Sequence, residues 1–311
     1  MQVRPSLQPS RWRPRCRDRR HGNEGGHCHI PIFIMASFNQ LPFVKFARDG
    51  NQYISYSKID PTGPSPPAPR TFVCVAGLGE TRYTYRFVAP LLAQAGHVVY
   101  MMDLRGMGDS STGFTSYSVE SCTEDIAAVV ATIAGPVVMV GSSFAAACIV
   151  LLQAPNVVGS MLLGPFARDQ PGFANKVFSF LAPALFARPY GVSMWISYWK
   201  TLFTTPSPDA AAYEAYLTSN MKDSGRLNAL LRLLQASKAN AGNHLETFTL
   251  PMIIGMGSTD PDFRSPEAEA QFLYNTIRSS VKKIVMYPNV KHYPQVECPS
   301  DVARDLLEAA F

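Results

Sequence analysis

The feature that most constrains the fold is a repeated alternation of short apolar runs with longer helical patterns. The apolar runs, such as VVMV at 137–140, lack polar residues at alternate positions. Strands of this kind are buried on both faces, which is typical of a parallel sheet with helices packed on both sides. The sequence therefore predicts an α/β fold whose sheet is mostly parallel. Strands are expected at 72–76, 97–102, 137–140, 157–163, 251–256 and 283–287, and helices at 82–95, 119–133, 145–153, 266–277 and 299–310, after a hairpin around Asp49-Gly50-Asn51.

The alternation is interrupted after the strand at 157–163. From 168 to 245 the chain is helical and aromatic, with segments such as VSMWISYWKTLF and LNALLRLLQASKANA. A helical insertion at this place is expected to form a lid over the carboxyl ends of the strands, where α/β folds carry their sites. The predicted organisation is a core at 35–167 and 246–311 with a helical lid at 168–245.

The first 34 residues differ from the rest in composition. They contain seven arginines against Asp18 and Glu24, and this excess equals the formal net charge of +5 of the whole chain. They lack apolar periodicity and are expected to be disordered. We interpret 1–34 as an upstream extension rather than a targeting segment, because MASFNQ at Met35 has the form of an ordinary protein start. The remaining chain is electrically neutral, so no nucleic-acid partner is expected.

Cysteine spacing and hydropathy point to the cell interior. The six cysteines are scattered, and no two form a C-x-x-C pair. Reduced thiols are therefore expected. No apolar run approaches the roughly 18 residues that a transmembrane helix needs, and no secretory signal precedes the core. The predicted protein is soluble and cytoplasmic, without a transmembrane segment.

The segment VVMVGSSFAAACIV, residues 137–150, places two serines between an apolar strand and a buried helix. A nucleophilic serine in such a turn occupies a bend so tight that the residues two before and two after it must be small. Ser143 has Gly141 and Ala145 at those positions, whereas Ser142 has a valine and a phenylalanine. Ser143 is therefore the candidate nucleophile. The alternative interpretation of the pair is a plain turn or a helix N-cap.

Loops after three other strands carry groups that suit the same chemistry. The strand at 72–76 leads into the glycine-rich turn AGLGE, whose backbone amides can face a developing oxyanion. Asp260 follows the strand at 251–256, and His292 follows the strand at 283–287. Because the carboxyl ends of parallel strands meet at one edge of the sheet, we expect these groups to lie together.

The choice of acid leaves alternatives. Asp260 lies closest to its strand, but Asp262 stands two residues further on, and Asp169 follows the strand at 157–163. Asp260 can alternatively serve as an N-cap or turn aspartate.

The choice of histidine is narrower. After Met35 the chain has three histidines: His97 begins a strand, His244 lies at the end of the insertion, and only His292 is correctly placed. In the segment DLRGMGDSS at 103–111, the two aspartates and the arginine are expected to stabilise the loop rather than to react.

Together these motifs resemble the α/β-hydrolase superfamily in its lid-bearing, serine hydrolase form. The segments DLRGMGDSS, GSSFAA, GSTDPDF and KHYPQVECP occur in the order and spacing of that superfamily, and the resemblance covers roughly residues 42–311. It implies a triad in which Ser143 is the nucleophile, His292 is the general base and then acid, and Asp260 orients the imidazole.

The resemblance also implies an oxyanion hole formed by the backbone N–H groups of Leu78 and Phe144. Two departures from the superfamily pattern occur nearby. Ala76-Gly77 replaces the usual His-Gly, which removes a side chain but no backbone donor, and Ala145 replaces the second glycine around the nucleophile. Neither departure abolishes the chemistry.

The predicted activity is hydrolysis of an ester, lactone or thioester with an apolar body, through an acyl-serine and without a cofactor or metal. The aromatic, weakly charged insertion suggests the apolar substrate, and Trp195 and Tyr198 are candidate pocket residues. Two alternatives stay open: hydrolysis of a carbon–carbon bond in a diketone-like substrate, and ligand binding without turnover.

Overall fold

The structure is a computed structural model that describes residues 42–170 and 189–311. The expectation of disorder for 1–34 and the start at Met35 lie outside the described residues, as does part of the predicted lid. Within the described ranges, no helix combines the length and the apolarity needed to cross a bilayer.

Eight strands form one sheet in the order β1-β2-β4-β3-β5-β6-β7-β8. The first two strands form the predicted hairpin, and β1–β2 and β2–β4 are the antiparallel pairs. All other pairs are parallel. The predicted, mostly parallel α/β sheet is confirmed. The strands are β1 Val44–Ala47, β2 Tyr53–Ile59, β3 Thr71–Val75, β4 Val98–Met102, β5 Val137–Ser142, β6 Val157–Leu163, β7 Met252–Gly257 and β8 Lys282–Tyr287.

Helices cover both faces of the sheet because the central strands carry apolar side chains on both faces, as at 72–75 and 137–140. Val73 and Met139 pack in the core layer that contains α2 and α3, whereas Phe72 and Val138 pack in the layer that contains α1 and α10. These helices are α1 Val88–Gln94, α2 Val119–Val130, α3 Ala145–Leu151, α8 Pro266–Thr276, α9 Pro294–Glu297 and α10 Pro299–Leu307. Successive strand residues thus enter opposite core layers, as the unbroken apolar runs predict.

The prediction of a continuous helix at 82–95 is wrong. The chain forms a 3₁₀ turn at Arg82–Tyr85 and begins α1 only at Val88. The backbone N–H and the guanidinium of Arg82 both donate to the carboxylate of Asp103, each at 2.5 Å, and Arg82 is fully buried. This buried ion pair fixes the first turn from outside the segment. Asp103 also accepts a bond from the Ser55 hydroxyl, so it stabilises its loop, as expected.

The described part of the chain between β6 and β7, residues 164–170 and 189–251, contains four α-helices, which we call the inserted helices. They are α4 Gly191–Thr201, α5 Ala210–Lys222, α6 Arg226–Gln235 and α7 Ala239–His244. They pack through a continuous apolar layer that includes Trp195, Leu217, Leu230 and Ala241. The helical character of the insertion is as expected in the described part, and its role as a lid stays a prediction.

Candidate active site

Ser143 stands at a sharp bend between β5 and α3. Its φ of 55° lies in the left-handed region, which costs free energy for any residue other than glycine and recurs at nucleophile turns. A Cβ at Gly141 would lie 2.4 Å from the Ile149 side chain, and a Cβ at Gly77 would lie 2.9 Å from the Ser143 Cβ. The bend therefore leaves little room for a side chain at 141, as the sequence argument assumed, and the AGLGE turn packs directly against Ser143.

Ser142 has a different environment from Ser143. It is the last residue of β5 and is fully buried. Its hydroxyl accepts a hydrogen bond from the Gln295 side-chain amide at 3.1 Å, and the same amide donates to Thr84 Oγ1 at 3.1 Å. Ser142 is thus bonded within the core. Sequence reasoning did not single out Gln295, although it lies within the KHYPQVECP segment, three residues after His292.

The two backbone amides expected to form an oxyanion hole are unpaired. Neither the N–H of Leu78 nor that of Phe144 donates to an acceptor within residues 42–170 and 189–311. The next amide along the turn, that of Gly79, is engaged by the Met107 sulfur at 3.3 Å. Two free donors on the two segments that meet at Ser143 are what an oxyanion site requires.

Asp260 and His292 come from the loops after β7 and β8 and form a buried pair. His292 Nδ1 lies 2.7 Å from Asp260 Oδ2, and the side chains are 2% and 0% exposed. Asp260 Oδ1 accepts a bond from the Asp262 amide at 3.0 Å. Burial lowers the pKa of His292, but the charges of Asp260 and Asp262 outweigh it and raise this pKa to about 9. The pair therefore favours a protonated imidazole.

Of the competing acids, one lies beside the histidine and one is remote from it. Asp262 Oδ2 lies 3.6 Å from His292 Nδ1, beyond hydrogen-bond distance. Asp169 is exposed, and it accepts bonds from the Ser237 hydroxyl and the Lys238 amide. Asp260 is thus the carboxylate that bonds to His292. The sequence favoured Asp260 over Asp262 because Asp260 lies closer to the end of its strand.

The loop after β6 contacts both the serine and the histidine. The Phe166 amide donates to the Ser143 carbonyl at 3.2 Å, and the Phe166 ring packs 5.8 Å from the His292 ring. No hydrogen bond joins the Ser143 hydroxyl to the imidazole among the described side chains. Proton transfer between them requires this pair to close, as catalytic pairs do when a substrate binds.

The inserted helices are bonded to the AGLGE turn through a buried carboxylate. Glu80, 2% exposed, accepts bonds from the Trp199 indole and, at 2.5 Å, from the Tyr213 hydroxyl. Burial raises the pKa of Glu80, and these two donors oppose the rise. The Trp195 indole donates to the Gly79 carbonyl at 2.9 Å. Sequence reasoning did not single out Glu80, because nothing local shows which groups cover it.

The two candidate pocket residues differ in exposure. Trp195 is 2% exposed and packs in the core between α4 and the AGLGE turn. Tyr198 is 38% exposed, and its hydroxyl donates to Asp262 Oδ1 at 2.5 Å. The part of either residue in binding a substrate stays a prediction.

Ligand atoms of Asp260, Asp262 and His292 all lie within 4.8 Å of one another, which is compatible with a metal ion. The hydrogen bonds assign these atoms differently. His292 Nδ1 and Asp260 Oδ2 face each other at 2.7 Å, and Asp260 Oδ1 accepts a backbone N–H. A ligating imidazole instead needs a free nitrogen lone pair aimed at the metal.

Comparisons with known proteins agree with this arrangement at the level of family and fold. The model of the alpha/beta hydrolase family matches residues 72–305. No curated protein matches the sequence. An esterase from Thermogutta terrifontis has a similar structure, with a TM-score of 0.68, 17% identity, and coverage of 86% of this chain and 97% of the other. A bromoperoxidase from Bacillus anthracis has a TM-score of 0.69 and 17% identity, with coverage of 86% of this chain and 98% of the other. The epoxide hydrolase CorEH has a TM-score of 0.67 and 17% identity, with coverage of 87% of this chain and 98% of the other.

These neighbours show a shared fold. The family match spans most of the chain and includes every residue of the site described above. It confirms the expected enzyme class, a hydrolase, while esterase and epoxide hydrolase neighbours leave the bond type open. This chain belongs to the alpha/beta hydrolase family.

Proposed function

We propose that the protein is a serine hydrolase that cleaves an ester, lactone or thioester with an apolar body. The observation that carries the proposal is the strained bend at Ser143, at which the free amides of Leu78 and Phe144 meet. Strain of this kind persists only when the surrounding structure imposes it, and it clusters at active sites. The buried Asp260–His292 pair supplies the base that a serine hydroxyl requires, in the form in which the imidazole is neutral.

In the proposed mechanism, Ser143 Oγ attacks the acyl carbon and its proton passes to His292 Nε2. Asp260 stabilises the imidazolium through Nδ1–H, and the amides of Leu78 and Phe144 stabilise the oxyanion. His292 then gives its proton to the leaving group, and an acyl-serine remains. Water attacks this ester with His292 again as the base, which releases the acid and restores the Ser143 hydroxyl.

An apolar substrate is supported by the side chains around the reacting groups. The rings of Phe166 and Phe263 stack at 4.8 Å, and both lie against the His292 ring. On the other side, Trp195 packs against the Gly-rich turn. These aromatic side chains suit an uncharged acyl group.

The test is labelling with a fluorophosphonate, followed by a panel of acyl esters, lactones and thioesters of graded length. We expect Ser143→Ala to abolish labelling and turnover. Ser142→Ala is the matched control: it removes one buried hydrogen bond, costs stability of about 1 kcal/mol, and retains most of the labelling. Equal labelling of the wild type and Ser143→Ala would exclude the covalent mechanism.

The same experiment separates the two alternatives. A diketone in the substrate panel tests carbon–carbon bond hydrolysis, which uses the same three side chains. A protein that binds ligands without turnover would give no labelling at Ser143 and no product from any member of the panel.

A further inference from the structure

His292 faces two carboxylates rather than one. Asp260 Oδ2 is hydrogen-bonded to Nδ1 at 2.7 Å, and Asp262 Oδ2 lies 3.6 Å from the same nitrogen. The Asp262 side chain is 12% exposed, so its charge is only partly screened by water. A serine–histidine–aspartate unit requires a single acid, and the second carboxylate has no part in the mechanism derived above.

The second carboxylate is held in place by an inserted helix. Tyr198 on α4 donates its hydroxyl proton to Asp262 Oδ1 at 2.5 Å. The Asp262 backbone N–H is bonded to Asp260 Oδ1 at 3.0 Å. The residue is thus fixed at two points, one in the core and one on the insertion, and its free oxygen is the one nearest His292.

We propose that Asp262 is a positioning residue of this site, whose carboxylate, held by the Tyr198 hydroxyl, stabilises the protonated His292 imidazole together with Asp260. The inference deepens the proposed serine hydrolase function and rests on it for its catalytic meaning. It assigns Tyr198 an indirect part in the chemistry, through Asp262.

The electrostatics around the ring support this assignment. Charged groups near His292 are Asp260 and Asp262 on the loop after β7 and Glu80 on the AGLGE turn, and all three carry or can carry negative charge. An opposite charge within 4–6 Å typically shifts a pKa by about one to three units. When the imidazole takes the proton of Ser143, the charge of Asp262 therefore stabilises the product of that step.

The Tyr198 hydrogen bond is needed to keep the Asp262 carboxylate charged and oriented toward His292. Burial raises the pKa of Asp262, whereas the tyrosine hydrogen bond and the charge of His292 lower it. Without the hydroxyl, the carboxylate retains no side-chain donor among the described residues and can rotate toward water. Its influence on His292 then falls.

The experiment measures the pKa of His292 in the free protein by NMR titration of the imidazole, with the signal assigned from a His292→Gln variant. We expect the wild-type value near 9 to fall by about one unit in Asp262→Asn. Tyr198→Phe should shift it in the same direction by a smaller amount. Asp223→Asn removes the same charge from an exposed position on the inserted segment, and it should leave the pKa of His292 unchanged.

The pH dependence of fluorophosphonate labelling is measured on the same four proteins. The acid limb of the labelling rate should move to lower pH with the imidazole pKa, whereas a purely structural loss would lower the rate at every pH. If Asp262→Asn does not fold, Tyr198→Phe decides. An unchanged imidazole pKa in a folded Asp262→Asn, or in Tyr198→Phe where that variant decides, overturns the inference. Absence of labelling in the wild type overturns the proposed function instead, while the NMR titration still answers the question about Asp262.

Discussion

Two tryptophans of α4 allow the contribution of the hydrogen bond to the buried Glu80 carboxylate to be compared with that of a hydrogen bond to an uncharged carbonyl. Trp199 donates to the Glu80 carboxylate, and Trp195 donates to the Gly79 carbonyl at 2.9 Å. Both are buried, at 4% and 2% exposure, and both pack against an aromatic neighbour about one turn away. Replacement of either by phenylalanine removes the same atoms and one hydrogen bond.

The magnitude follows from the acceptor. A hydrogen bond to a neutral group contributes about 0.5–1.5 kcal/mol to the free energy of unfolding, and a bond to a charged group about 1.5–3 kcal/mol. The packing losses in Trp199→Phe and Trp195→Phe are similar and largely cancel in the comparison. We therefore expect Trp199→Phe to destabilise the protein by about 1–2 kcal/mol more than Trp195→Phe at pH values at which Glu80 is ionised.

This difference should depend on pH in one direction. The Trp199 donor stabilises the ionised form of Glu80, whose folded pKa is raised above its ordinary value by burial. Its extra contribution is complete above that folded pKa and is lost as the pH falls through it. Urea unfolding followed by circular dichroism over a pH series from about 5 to about 10 measures this difference. Equal losses for the two variants at every pH would refute the argument that an ionised Glu80 is the acceptor.

Three further predictions concern the reacting groups. A Cβ at Gly79 would lie 1.9 Å from the Trp195 ring, and the φ of Gly79 is 67°. Gly79→Ala should therefore displace the AGLGE turn and abolish most esterase activity. Gly135→Ala is the control for backbone strain, because Gly135 also has a left-handed φ but a Cβ there would contact nothing. Asp260→Asn should lower kcat by roughly 10³ to 10⁴, and adding it to His292→Ala should cause no further loss, because the residues act as one unit; multiplicative losses in steady-state kinetics would contradict a triad. Because the neutral imidazole is the base and the pKa of His292 is raised to about 9, kcat/KM should rise with pH through this region, and a flat profile from about pH 7 to about pH 10 would contradict that assignment.

The sequence was sufficient for the features that depend on local pattern. Unbroken apolar runs predicted the parallel strands, and the small residues at 141 and 145 distinguished Ser143 from Ser142 as the residue at the bend. That argument relied on a bend too tight for large neighbouring side chains. The left-handed φ of Ser143 and the tight packing of Gly141 against Ile149 are features of such a bend. The catalytic roles of the site residues stay predictions.

Features that depend on partners distant in the chain could not be predicted from the sequence. The helix expected at 82–95 is interrupted because Arg82 binds Asp103, 21 residues away, and no helix propensity reports such a partner. Sequence position favoured Asp260 over Asp262 only because it lies two residues closer to the strand, whereas the distances to His292, 2.7 Å and 3.6 Å, distinguish them directly. The bond from Trp199 to Glu80 spans 119 residues and likewise has no local signal.

The Gln295 side chain limits how the nucleophile segment can be exchanged between relatives. Its amide nitrogen, 153 positions from Ser142, is shared between the Ser142 and Thr84 hydroxyls in a site closed to water. A graft that carries a relative's nucleophile motif with an apolar residue at 142 would leave that donor short of one acceptor, although every residue around Ser143 looked compatible. Residues that bond to one another therefore have to be exchanged together, and positions 84, 142 and 295 form one such set. Chimeras that exchange the three together should fold where single-segment exchanges lose stability.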